Sequence, residues 1–235
     1  MWRGGEGAMV LGRTARIVND LIWYSLVAAA RKVRTFLRCV LAVDFSTPAP
    51  EPLPCKACQH ISSTSLVSVV IPAFNEGASI GDAVCSALVN GSHVEVVVAD
   101  GGSTDSTCAV AAAAGARVVR NCTPGRAGCL NDGARAANGE LLVFLHADTL
   151  LPPDWALSVR DTLAGANVAV AAFTLSLHPR MPFLAMVEWG ANMRSRYRQL
   201  PYGDQALCMR REVYEALGGF PGQPFLEDID LVCEA

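Results

Sequence analysis

The stretch Glu140 to Thr149, ELLVFLHADT, ends an apolar run on an imidazole and a carboxylate two positions apart. Alternate side chains of an extended chain share a face, so His146 and Asp148 should point together while Ala147 points away. An imidazole beside a carboxylate suggests a metal or phosphate site. A carboxylate suits Mg²⁺ or Mn²⁺, whereas an imidazole is acceptable to Mn²⁺ and poor for Mg²⁺. Asp148 also has a plainer role open to it, as the cap of a turn or helix, since Leu150-Leu151-Pro152-Pro153-Asp154 follows. Other polar groups stand at comparable places. Asn75-Glu76 follow VSVVIPA, Asp100 follows VEVVVA, and Glu227-Asp228 lie near the end of the chain.

The elements that must position these groups follow from the hydrophobic pattern. The continuous run Leu141 to Leu145 predicts a strand covered on both faces, as in a parallel sheet. Val67 to Ala73 is a first strand, with Pro72 removing a ladder donor at its end. A helix over 78–89, a strand over Val94 to Ala99, an Ala-rich helix ending at Ala114, a short strand over 116–120 and a helix over 128–137 complete the set. Strands alternating with helices predict an α/β fold with a mostly parallel central sheet flanked by helices, built from right-handed βαβ units. In a strand order 3-2-1-4 the acids sit at carboxyl ends, where open α/β sheets bind ligands. Strands about 4.8 Å apart then put Asp100 and Asp148 roughly 10 Å apart, a gap that suits a nucleoside at one end and a diphosphate at the other. The turn Ala73 to Gly77 lacks the G-x-G-x-x-G of a dinucleotide fold, and no P-loop occurs. Further on, Val168 to Leu177 reads as a strand and Met181 to Tyr197 as a helix carrying Arg194 and Arg196. Leu207 to Arg210 reads as a strand and Arg211 to Leu217 as a helix stopped by Gly218-Gly219.

Composition bounds the rest. The chain has 235 residues, 51% of them hydrophobic, with a net charge of −3, which gives no electrostatic footprint for nucleic acid. Nine irregularly spaced cysteines read as reduced thiols in a reducing compartment. Cys55-Lys56-Ala57-Cys58 with His60 resembles half a zinc site, but no second pair follows at a matching spacing. Residues 1–45 form a basic extension in which Val18, Ile22, Leu26, Ala29, Val33, Phe36 and Val40 recur at helical spacing. Its apolar stretch is too short to span a bilayer. Three readings stay open: an organelle-targeting presequence, a helix lying on a membrane surface as a peripheral contact, or a helix docked on the main domain. The location is organellar under the first reading, and cytoplasmic or peripheral to a membrane otherwise. Residues 46–65, rich in Pro, Ser and Thr, read as a linker, which leaves 66–235 as the main domain.

Taken together, SVVIPAFNE (Ser68 to Glu76), VVVADGGSTDST (Val96 to Thr107), GRAGCLNDGARAANGELLVFLHADT (Gly125 to Thr149), YGDQALCMRREVYEALGGF (Tyr202 to Phe220) and FLEDIDL (Phe225 to Leu231) resemble family 2 glycosyltransferases. The nearest likeness is to a branch with L-H-A-D-T where most relatives have D-x-D, some members of which are linked to arsenosugar biosynthesis. The resemblance implies a GT-A fold, the architecture of nucleotide-diphospho-sugar transferases. It also implies inverting transfer from a donor such as a UDP- or GDP-sugar to an acceptor hydroxyl, with Mn²⁺ or Mg²⁺. Position by position, Pro72, Asn75 and Glu76 match the nucleotide-contacting turn, Asp100 the acid facing base or ribose, and Gly102 and Ser103 the backbone that passes the nucleotide. Ser103 has a helix-capping role open to it as well. Arg126 matches a basic position near the nucleotide, and Asp204 the acceptor-side loop. Asp148 matches the metal-binding acid, with His146 in place of its partner acid. Asp228 matches the catalytic base. Relatives continue for several elements beyond Glu227-Asp228, so the chain reads as truncated at its C-terminus. The rival reading is a non-catalytic nucleotide-sugar-binding protein or an inactive truncated relative.

Overall fold

A computed structural model describes residues 61–235 apart from 90, 91, 180 and 223–225. The expectations for residues 1–60, the Cys55–Cys58 pair included, lie outside the described residues.

The strands are β1 (Val67–Ala73), β2 (Val94–Asp100), β3 (Arg117–Val119), β4 (Leu141–Phe144), β5 (Val170–Ala171) and β6 (Leu207–Arg210). The helices are α1 (Ile80–Leu88), α2 (Thr107–Ala113), α3 (Arg126–Ala136), α4 (Trp155–Leu163), α5 (Pro182–Arg198), α6 (Arg211–Ala216) and α7 (Glu227–Glu234), with a 3-10 turn at Gly203–Gln205. They build one sheet of order β3-β2-β1-β4-β6-β5. The first four strands run parallel in the expected order, and β6 pairs antiparallel with both β4 and β5.

The alternation of β-branched residues along β1 divides the core between two faces. Val67, Val69 and Ile71 pack with Leu141 and Val143 against Ile80, Val84, Trp155 and Val159 of α1 and α4. Val70 packs with Leu142, Phe144 and Met209 against Leu130 and Ala134 of α3, Tyr214 of α6 and Leu231 of α7. The run Leu141 to Phe144 is apolar throughout because it is covered on both sides. α3 lies close on the sheet. A Cβ at Gly133 would come within 2.5 Å of Val70 Cγ1 and 3.2 Å of Ala99 Cβ, so only glycine fits there. Ser68 is the polar exception in β1. Its fully buried hydroxyl donates to Glu95 Oε1 at 2.5 Å and accepts from the Gly139 N–H at 2.7 Å, so no polar group is stranded.

Several expectations change in detail. Pro72 ends the ladder only toward β4: Leu145 N donates to Val70 O and pairing stops there, whereas β1 stays in register with β2 as far as Ala73–Asp100. The stretch Val168 to Leu177 is not a continuous strand. Only Val170–Ala171 pairs; Phe173 N still donates to the Gln205 carbonyl at 2.8 Å, and side chains satisfy the backbone at Leu175 and Leu177. Asn192 binds both the N–H and the carbonyl of Leu175, and Glu188 accepts from Leu177 N at 3.0 Å. Helix α5, rather than another strand, therefore occupies that edge. α3 starts at Arg126, two residues before the sequence pattern suggests. The folded domain also takes in the end of the stretch read as linker. Ile61 packs on the core, and Ser65, nearly buried, accepts a hydrogen bond from Arg160 through its carbonyl.

Candidate active site

Two loops frame the rim above β1 and β2. Asn75, held at φ 55°, receives the Ser103 hydroxyl as acceptor for its N–H at 2.9 Å, and its own Oδ1 accepts from Thr104 N at 2.9 Å. Gly77 N donates to Asp105 Oδ2 at 3.0 Å, and Glu76 N to the Thr107 hydroxyl at 2.8 Å. Ser103 thus ties the loops together and does not cap a helix; the residue before α2 is Ser106. Asp100 is 3% exposed, and its carboxylate accepts from Gly102 N and Ser103 N. Burial alone would raise its pKa, but these hydrogen bonds outweigh it and hold the carboxyl below the usual range. Asn75, Asp100, Gly102 and Ser103 are consequently the frame of the site.

Inside that frame is a cavity of about 510 Å³ at the carboxyl ends of β1 and β4. Pro72, Phe74, Glu76, Arg126, His146 and Asp148 all line it. This is the crevice where the connections change direction, β2 and β4 lying on opposite sides of β1. Ala147 turns into the core, as the alternation requires. Asp148 is exposed and its described hydrogen bond comes from the neighbouring Thr149 hydroxyl at 3.3 Å, so it caps nothing. Among the described residues no three His, Cys, Asp or Glu side chains converge as a ready-made metal cage.

A smaller cavity adjoins this one and shares His146 and Arg126 with it. This smaller cavity holds only about 10 Å³, and Gly203, Glu227 and Asp228 line it together with apolar side chains such as Phe144 and Phe220. Asp228 sits at the start of α7, and its Oδ2 accepts from Gly203 N at 2.6 Å. His146 Nε2 lies against the same glycine: a Cβ at Gly203 would stand 3.0 Å from Nε2 and 3.3 Å from Asp228 Oδ2. Burial, reinforced by Arg126, lowers the His146 pKa against the pull of Asp148, Asp204 and Asp228, so the ring is neutral at neutral pH. Asp204, in the 3-10 turn, has its pKa raised by burial, and its buried Oδ1 has no hydrogen-bond partner. The structure thus brings Pro72, Glu76, Arg126, His146 and Asp148 to one pocket and sets Asp228 beside it, with Asp204 near His146.

Sequence reasoning missed one lining residue and the partners of two residues, Asn131, which reads as structural, and Glu227 of the Glu227-Asp228 pair. Phe74, 61% exposed, offers an aromatic face to the larger cavity. Its signal was the exposed position inside the turn that carries Asn75 and Glu76. Asn131 joins α3 to the loop before α7: its Oδ1 accepts from Tyr214 OH and Phe220 N, and its Nδ2 donates to Phe220 O. Glu227 pairs with Arg126 at 3.6 Å. No local pattern announces either contact, since the partners are far apart in the chain.

A parallel sheet with a reversed edge, an acid-and-arginine rim at its switch point and a second carboxylate beside it define a GT-A transferase fold. The chain belongs to glycosyl transferase family 2, whose pattern matches residues 68–218. It is 38% identical over 96 residues to the glucosyl-3-phosphoglycerate synthase of Mycobacterium tuberculosis (strain ATCC 25618 / H37Rv), which covers 37% of this chain and 30% of that protein. It is 30% identical over 107 residues to the undecaprenyl-phosphate 4-deoxy-4-formamido-L-arabinose transferase of Shewanella sediminis (strain HAW-EB3), covering 41% and 32%. The matched stretch spans about a third of the length of these curated relatives. Among solved structures, glucosyl-3-phosphoglycerate synthase from M. tuberculosis in complex with phosphoglyceric acid superposes with a TM-score of 0.52 at 26% identity, over 77% of this chain and 69% of that one. A mannosyltransferase from Pyrobaculum calidifontis, in complex with GDP-Man and Mn²⁺, gives 0.53 at 22% identity over 88% and 60%, a likeness of fold alone.

Proposed function

We propose that the chain transfers a sugar from a nucleotide-diphospho-sugar to an acceptor hydroxyl, with inversion and with help from a divalent cation. The observation that carries this reading is the cavity of about 510 Å³ lined by Asp148, Arg126 and His146, with Asp228 in the wall of a narrow cleft that adjoins it. The larger one has the contents a nucleoside diphosphate needs. Phe74 offers a face on which a base can stack, and Arg126 a guanidinium for phosphate oxygens. Asp148 would hold Mn²⁺ or Mg²⁺, and a single carboxylate suffices where substrate phosphates supply further ligands. The neutral ring of His146 favours Mn²⁺ over Mg²⁺ as the occupant. Bound there, the cation would stabilise the charge on the departing diphosphate.

Asp228 serves as the general base. The N–H of Gly203 fixes its Oδ2, and a carboxylate oxygen keeps lone pairs beyond the one so engaged. It takes the proton of the acceptor hydroxyl as that oxygen attacks the anomeric carbon from the face opposite the diphosphate, which inverts the centre. The L-H-A-D-T stretch supports placement in the branch that carries that motif. The domain reading extends this assignment: the folded domain from Ile61 onward catalyses, the preceding stretch from 46 links, and 1–45 are an extension whose candidate roles include peripheral membrane contact. The buried thiols Cys108, Cys122, Cys129 and Cys208 support residence in a reducing compartment.

The test is a screen of UDP-, GDP- and dTDP-sugars for Mn²⁺-dependent thermal stabilisation, followed by assays of donor hydrolysis and transfer. A ligand at a hundred times its Kd stabilises by about 2.7 kcal/mol, a readable shift. Mn²⁺-dependent stabilisation together with donor turnover is expected. Stabilisation without turnover would favour a binding protein, and no stabilisation by any donor would reject the reading.

A further inference from the structure

Arg126 stands where the two cavities meet. It lines the larger one beside Gly125 and Asp148, and the smaller one beside His146, Gly203 and Asp228. Its guanidinium is 3.6 Å from Glu227, and the two ends of this pair are unlike: the Arg126 side chain is 57% exposed and that of Glu227 only 4%. A long side chain with an exposed head can swing toward the larger cavity while its helix stays in place. Glu227 has no such freedom. It is fixed in the first turn of α7, next to Asp228, and burial pushes its carboxyl up in pKa against the pull of Arg126. A diphosphate in the larger cavity carries more charge than one carboxylate and offers the bidentate oxygens that a guanidinium prefers.

We propose that Arg126 exchanges partners: Glu227 holds it in the ligand-free chain, and the donor diphosphate takes it over. This rests on the donor reading above and goes beyond it, because it makes donor binding the event that frees Glu227. A buried carboxylate stripped of its cation either takes up a proton or finds a new hydrogen-bond donor. A hydroxyl of the acceptor beside the one that Asp228 deprotonates can be that donor.

The test is calorimetric binding of UDP and, separately, GDP, each with Mn²⁺, to the full chain and to Glu227→Gln, Arg126→Ala and the double variant. Removing the competitor in Glu227→Gln should tighten nucleotide binding about two- to fivefold, the affinity equivalent of a partly exposed ion pair. Arg126→Ala should weaken it about tenfold or more. In the Arg126→Ala background Glu227→Gln should change nothing, because no arginine remains to be released. Glu227→Ala repeats the measurement without the amide and should tighten binding equally. Unchanged or weaker binding in both Glu227 variants overturns the exchange. So does equal tightening with and without Arg126, which would report only the loss of a negative charge. If neither nucleotide binds the parent chain, the donor reading itself fails and the exchange with it. Binding to the parent with no effect at Glu227 sinks the exchange alone.

Discussion

The sheet around β1 and β2 is held by packing, and the edge formed by α5 by a few polar cross-links. Around β1 and β2, Val67, Val69, Val70, Ile71, Val97, Val98 and Ala99 are fully buried, and the loops above them are stitched through Asn75, Ser103 and Asp105. Strand β5 contributes only two residues to the sheet, and α5 has a single buried side chain, Ala191. What fixes α5 is Asn192 on Leu175, the Ser195–Gln205 contact, Gln205 Nε2 on Phe173 O at 3.1 Å, and Arg194 stacked 3.4 Å above the Tyr202 ring. Apolar burial costs little to maintain and tolerates small shifts, whereas each buried polar link fails outright when one partner goes. The difference teaches that binding of the donor should be robust, while turnover should depend on single contacts.

The sharpest way to break this comparison is Asp228→Asn, which keeps the shape and removes the basicity. A general base contributes typically 10²–10⁴-fold, so kcat should fall by about that factor with donor affinity nearly unchanged. Loss of donor binding with turnover retained at saturating donor would put Asp228 on the metal side of the site. Asp148→Ala should next remove the Mn²⁺-dependent part of nucleotide binding, measured by titration with and without the cation. An equal, metal-independent loss in Asp148→Ala and Asp100→Ala would contradict the separation of cation site from frame.

Packing around β1 and β2 is probed by Gly133→Ala. The new methyl meets Val70 Cγ1 at 2.5 Å, and such overpacking costs typically about 1–3 kcal/mol, readable by urea unfolding. An unchanged midpoint would mean that α3 can lift from the sheet freely. The polar edge is probed by pH. Burial raises the Asp204 carboxyl in the folded chain, so the stability it contributes is present below its unfolded pKa and is lost as pH rises through its folded pKa. Asp204→Asn removes that loss. The melting temperature of the variant relative to the parent should therefore be more favourable near pH 7 than at a pH well below the ordinary aspartate range, where both carry an uncharged group. A difference independent of pH would show that Asp204 is not strained by burial. The smallest effect is expected from a chain that begins at Ile61, which keeps every packed residue described. Its melting and nucleotide affinity should match those of the full chain, and a collapse of folding would place residues 1–60 in the core.

By itself, the sequence determined the sheet around β1 and β2. The period of β-branched residues in VSVVIPA and VEVVVA, the doubly apolar LLVF and the polar residues after each strand are local signals. A parallel sheet with right-handed crossovers leaves few ways to arrange them. The rim that carries Glu76, Arg126, His146 and Asp148 was legible for that reason. Tertiary structure decided the rest. VAVAAFTLSL has the pattern of a strand, yet most of it is not one, because Asn192 and Glu188 of α5 satisfy its backbone in place of a neighbouring strand. Whether Asp100 would face a ligand or its own loop depended on the Gly102 and Ser103 N–H groups turning toward it. The Gly203–Asp228 hydrogen bond and the Arg126–Glu227 pair join residues far apart in sequence. Pairs at such separations leave no periodic trace, and only the closing of the chain around β4 and β6 brings them within reach.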